Sequence, residues 1–167
     1  MPLKPEDYEA IRNLYGRYSI AIDTGDMDAY LGCFSSDAVW SLVGLPDDIG
    51  RNATFTGHDE LRSVGANIYA GTQGHVLHNQ VALTIDGDGD EARVKSIDHV
   101  TRIGMAPHSG SILTGGADDV VVRDGDRWVY KSRIGYVDRH DAEPSGNDPL
   151  VIESDRFVDQ ILRSYRK

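Results

Sequence analysis

Two residues in this chain are well suited to moving a proton: Asp23, closing the stretch LYGRYSIAIDTGD, and His75, opening GHVLHNQVALTID. A carboxylate held against an imidazole fixes the ring tautomer and leaves the other ring nitrogen to act as a base, the logic of a catalytic triad without its nucleophile. Help of this kind is typically worth roughly 10²–10⁴-fold in rate and needs no metal or cofactor. Neither is expected here, because no two histidines have the helical spacing of a zinc site. Asp23 also ends an apolar helical stripe, where a negative charge opposes the helix dipole and calls for a compensating partner. Taken apart from Asp23, His75 reads first as a hydrogen-bonded core histidine.

Four further residues fall where members of such a site belong. Arg133, five residues after Trp128, is either a strand-edge arginine or a cation able to steady a departing hydroxide, a halide or an enolate. Tyr18 lies little more than one helical turn before Asp23, as a packing residue or a contact to substrate. Trp40, ending DAVW, suits a cavity wall. His99, in SIDHVTR, is either a second acid or a paired sheet residue.

These residues depend on the elements that carry them. Pro5 with Glu6 and Asp7 opens a helix. Tyr8, Ile11, Leu14, Tyr15, Tyr18 and Ile22 then recur at three- and four-residue steps until Thr24-Gly25 ends it. Asp26 caps a short second helix, a strand covers residues 38–43, and a third helix follows His58 or Asp59 and runs to Tyr69. Residues 44–54 read as a loop. Long strands then flank Gly87-Asp88-Gly89-Asp90 and Asp124-Gly125-Asp126, two hairpin signals. Period-two alternation puts His75, Leu77, Asn79, Val81, Leu83 and Ile85 on the apolar face of the first long strand, with His78 on the other face beside Val76 and Gln80. A polar stretch, Pro144 to Pro149, and a last helix, Glu153 to Tyr165, close the chain.

Helices first and hairpin-joined strands after is an α+β order: N-terminal helices packed on a curved, mainly antiparallel sheet around an apolar pocket. Residues 1–140 form this domain, and residues 141–167 are a tail belonging to it. The 167 residues carry a formal charge of −10, which argues against nucleic acid or an anionic membrane as partner. Acidic clusters such as Asp118-Asp119 read as solvated surface. The single cysteine, Cys33, permits no intrachain disulfide and reads as inert packing. Without a signal-peptide core or a long apolar run, the expectation is a cytoplasmic protein.

LYGRYSIAIDTGD, CFSSDAVW, GHVLHN and VVVRDGDRWVYKSR, in that order and spacing, resemble the SnoaL-like group of the NTF2-like superfamily, whose fold is a cone-shaped α+β barrel. Within it the chain is similar to the scytalone dehydratases, hexachlorocyclohexane dehydrochlorinases and bile acid 7α-dehydratases. The resemblance implies a catalytic Asp23–His75 dyad. It also matches Trp40 and Arg133 to the dehydrochlorinases, Tyr18 to the bile acid enzymes and His99 to the scytalone dehydratases. Ile22 departs from the scytalone pattern, which has tyrosine there, and Tyr18 departs from the dehydrochlorinase pattern, which has lysine. The implied activity is a cofactor-independent lyase, dehydratase-like, acting on a small cyclic apolar substrate. An isomerase or polyketide cyclase using the same base, or a non-catalytic binding or assembly module, are the alternatives. The resemblance further implies a homo-oligomer, a trimer before a dimer.

Overall fold

The apolar stripe predicted for the first helix is buried along α1 (Pro5–Thr24), where Ile11, Leu14, Tyr15, Tyr18, Ala21 and Ile22 all turn inward. The computed structural model describes residues 1–43, 53–72, 75–102 and 110–137. Most of the predicted loop at 44–54, the polar stretch, the terminal helix, His108 and His140 lie outside them.

Gly25 ends α1 in the left-handed conformation, φ 76°, and its N–H donates to the carbonyl of Ala21. Asp26 caps α2 (Met27–Leu31) by accepting the Ala29 N–H at 3.0 Å. β1 (Phe34–Val43), β2 (Ala53–Thr56) and α3 (Gly57–Thr72) follow, then β3 (Val76–Asp88), β4 (Glu91–Arg102), β5 (Gly110–Asp124) and β6 (Arg127–Val137). Both predicted hairpins form with two-residue turns, Gly89-Asp90 and Gly125-Asp126, and both glycines have positive φ.

The strands make one sheet in the order β2-β1-β6-β5-β4-β3. It is mixed, since β1 runs parallel to β6 while the other pairs are antiparallel. It is also open, with β2 and β3 at its edges, and not a closed barrel. The helices cover its inner face, where a cluster of tyrosines, Phe34 and Trp128 joins α1 to β1 and β6.

Strand parity decides which side chains reach that face. Val81 is an extra residue on β3, because Gln80 pairs with Asp98 while Ala82 pairs with Ile97. Such a bulge shifts the alternation by one. Before it Val76, His78 and Gln80 are the better-buried residues, and after it Leu83 and Ile85 are. The apolar face predicted for β3 is therefore two half-faces on opposite sides, and His75 is exposed.

Candidate active site

Asp23 meets His78, not His75. One carboxylate oxygen, Oδ2, accepts the backbone N–H of His78 at 3.0 Å, and the other, Oδ1, lies 2.5 Å from the ring Nδ1. An aspartate carboxylate accepts, so the ring donates from Nδ1, and this selects the tautomer with Nε2 as its base. Both side chains are largely buried. The last turn of α1 delivers Asp23, held by the Gly25 cap. A Cβ at Gly25 would lie 2.7 Å from the Tyr69 ring of α3, so the helix end is packed closely as well as sharply turned.

Beyond the dyad along the inner face lies a buried ionic network. Arg133 is 5% exposed. Its Nη1 donates to Asp119 Oδ2 at 3.2 Å and its Nη2 to Asp98 Oδ2 at 3.1 Å. Asp119 is the register partner of Arg133 on β5. Asp98 is one strand further away on β4, and the small Ala117 between them leaves the arginine room to reach it. Tyr15 donates to Asp119 Oδ2 at 2.5 Å. The guanidinium also sits over the rings of Tyr18, Tyr130 and Tyr15, at 4.6, 5.1 and 5.7 Å.

Burial dominates the electrostatics. It lifts the Asp119 carboxyl to about 6, although Arg133 and the Tyr15 hydroxyl pull the other way. It also pushes the Tyr18 phenol up to about 12 and raises the Tyr30, Tyr130 and Cys33 side chains. Desolvation opposes the charge on Arg133, yet its carboxylate neighbours, Asp119 foremost, keep it firmly protonated. Asp118-Asp119 is thus not a surface pair. Asp119 is buried, while Asp118 faces outward and pairs with Lys95.

Of the residues expected at the site, Asp23, Tyr18, Trp40 and Arg133 lie on or against the inner face. Trp40 is the register partner of Arg133 and stacks on Phe55. His75 is exposed ahead of β3. His99 follows the outward parity of β4, with Lys95 and Ile97, opposite to Asp98. Residue type and spacing had not singled out His78, Asp98, Asp119 or Tyr15. A bulge hides His78, and alternation on β4 and β5 would have put Asp98 with Val94 and Asp119 with Val121.

A separate groove of about 400 Å³ runs outside α1 and α2, bordered by Arg17, Ile20, Asp26, Asp28 and Arg127. Neither Asp23 nor His78 borders it. Among the described residues no cluster of three histidine, cysteine or acidic side chains is placed to hold a metal, and no helix is long and apolar enough to cross a membrane.

The profile of the SnoaL-like domain matches residues 4–134. No curated protein matches the chain. Among solved structures, Rv3472(D26N), a protein of unknown function from Mycobacterium tuberculosis, superposes with a TM-score of 0.78 at 22% identity, covering 98% of this chain and 94% of its own. An NTF2-like protein with a cystatin-like fold from Novosphingobium aromaticivorans gives 0.67 at 22% identity, covering 82% and 85%. A candidate scytalone dehydratase from the same organism gives 0.64 at 23% identity, covering 79% and 84%. At these identities the likeness is one of fold.

Proposed function

Because this chain belongs to the SnoaL-like domain family, we propose that it is a cofactor-independent lyase, dehydratase-like, in which His78 takes a proton from carbon and Asp23 orients the ring and stabilises its charge. The observation that carries this reading is the two-point grip of Asp23 on His78. Its tautomer offers Nε2 as the base, and the tyrosines and Trp40 further along the inner face suit a small cyclic apolar substrate. The likeness to a candidate scytalone dehydratase supports the same class. Arg133 belongs to this site as a held cation, with Tyr18 and Trp40 as walls.

The test is a screen of cyclic hydroxylated and halogenated compounds with product mass as readout. Loss of water or hydrogen halide, abolished by His78→Gln, is the expected result. A product of unchanged mass would move the chain to the isomerases or cyclases that share this base. Full turnover by His78→Gln would overturn the mechanism.

We further propose that copies of the chain meet through the outer face of the sheet. Val81 and Ile97 are 64% and 57% exposed there, with Tyr136 and Ile134 nearby.

A further inference from the structure

The buried network around Arg133 bears on what this site can hold, taking the inner face beside Asp23 and His78 as the substrate site proposed above. An arginine in such a place is the obvious receptor for an anion, yet this one is already occupied. Nη1 and Nη2 each donate to a carboxylate, and three tyrosine rings crowd the plane. An incoming carboxylate or halide would have to displace Asp98 or Asp119. It would also meet a cluster with two acids to one base, which is no attraction for negative charge.

The unsatisfied groups nearby point to a different ligand. Asp98 Oδ1 and Asp119 Oδ1 are buried acceptors without a hydrogen-bond partner, and Trp40 Nε1 and the Tyr130 hydroxyl are buried and unpartnered as well. Buried polar atoms are ordinarily paired, so several orphans around one arginine mark a place where pairing is supplied from outside. Asp98 is the member closest to the dyad. It lies across from Gln80, while His78 lies across from Val100, so Asp98 and His78 are diagonal neighbours on one face. Its side chain is a quarter exposed, whereas that of Asp119 is sealed. Its other oxygen is fixed by Arg133 and by the Ser96 hydroxyl at 3.3 Å. That leaves Oδ1 as an immobile acceptor beside the proposed base.

We infer that Asp98 is the specificity-determining residue of this site, accepting a hydrogen bond from the hydroxyl of an uncharged cyclic ligand, and that the Asp98–Arg133–Asp119 network excludes anionic ligands. A hydroxyl can donate to Asp98, whereas a carboxylate has no proton to offer and is repelled by it.

The test uses the whole chain and three matched probes, phenol, benzoate and benzylammonium, with the Asp98 backbone N–H resonance as reporter. Phenol is expected to shift that resonance saturably, with benzoate at least about tenfold weaker. Asp98→Asn, nearly isosteric, is expected to weaken phenol by about three- to tenfold, the worth of one hydrogen bond. Benzoate or benzylammonium binding as well as phenol would overturn the inference. So would an Asp98 resonance unmoved by phenol, or a folded Asp98→Asn with unchanged phenol affinity. If that variant does not fold, the comparison of probes on the wild type decides. Lyase turnover is a separate readout. Phenol selectivity without turnover would leave this inference standing and remove the lyase reading, and turnover abolished by His78→Gln with benzoate preferred would do the reverse.

Discussion

Asp23 grips His78 at two points, accepting its backbone N–H with one carboxylate oxygen and meeting the ring Nδ1 with the other. The grip ties strand position and ring orientation to the same side chain. Asp23→Asn keeps the shape but offers an amide N–H to one of two donors, so the ring loses its fixed tautomer.

On a substrate found by the screen, Asp23→Asn and His78→Gln are each expected to lower kcat by roughly 10²–10⁴-fold with the fold retained. His75→Ala should stay within about twofold, as an exposed residue outside the grip. Steady-state kinetics with circular dichroism checks all three, and a severe loss in His75→Ala alone would return the base to His75.

Asp119 gives stability a definite pH dependence. Its carboxyl is raised to about 6 from an ordinary 3.8, chiefly by burial. The folded chain therefore binds this proton more tightly than the unfolded chain, and the group's contribution falls as pH rises from about 4 to about 6. By neutral pH the loss is complete and is on the order of 3 kcal/mol. Asp7 works in the opposite direction at lower pH, since its hydrogen bond to Arg123 holds its carboxyl low and that contribution disappears on acidification. Urea denaturation of wild type and Asp119→Asn across this range should show the wild type losing stability relative to the variant between about pH 4 and about pH 6. Parallel curves would exclude the effect.

Gly25→Ala should both destabilise the chain and weaken the site. A non-glycine residue in this conformation costs about 1–3 kcal/mol, and its Cβ would meet the Tyr69 ring at 2.7 Å. Because Asp23 is two residues away, kcat is expected to fall along with Tm. A drop in Tm with untouched kcat would show that the cap does not position Asp23.

The outer face should make association depend on concentration. Ile97→Lys is expected to shift sedimentation towards the monomer without moving kcat more than about twofold, being a surface change remote from the inner face. An unchanged oligomer distribution would remove this face from the interface.

Much of the fold was legible because local rules settle it. The three- and four-residue spacing from Ile11 to Ile22 specifies α1, and Gly-Asp turns specify both hairpins. The β1–β6 pairing was not, since nothing local encodes which distant strand lies parallel to another. At the site, Asp23 and Arg133 could be read from their places at a helix end and on a strand. His78 could not, because no glycine or proline marks the bulge at Val81 and simple alternation carries straight through it. Asp98 and Asp119 were passed over for a different reason: alternation puts them on the inner faces of β4 and β5, but acids are kept there by an arginine from another strand, and no spacing within β4 or β5 reveals that partner.

The extra residue at Val81 divides β3 into two stretches that answer to different demands. Substitutions at His78 or Gln80 alter what the site does, whereas substitutions at Leu83 or Ile85 alter how well the chain holds together. Deleting Val81 would restore plain alternation with His78, Gln80, Leu83 and Ile85 still on one face, removing only the local bend and added twist of the bulge. The inserted residue therefore shapes the path of the strand without deciding which of these side chains face inward.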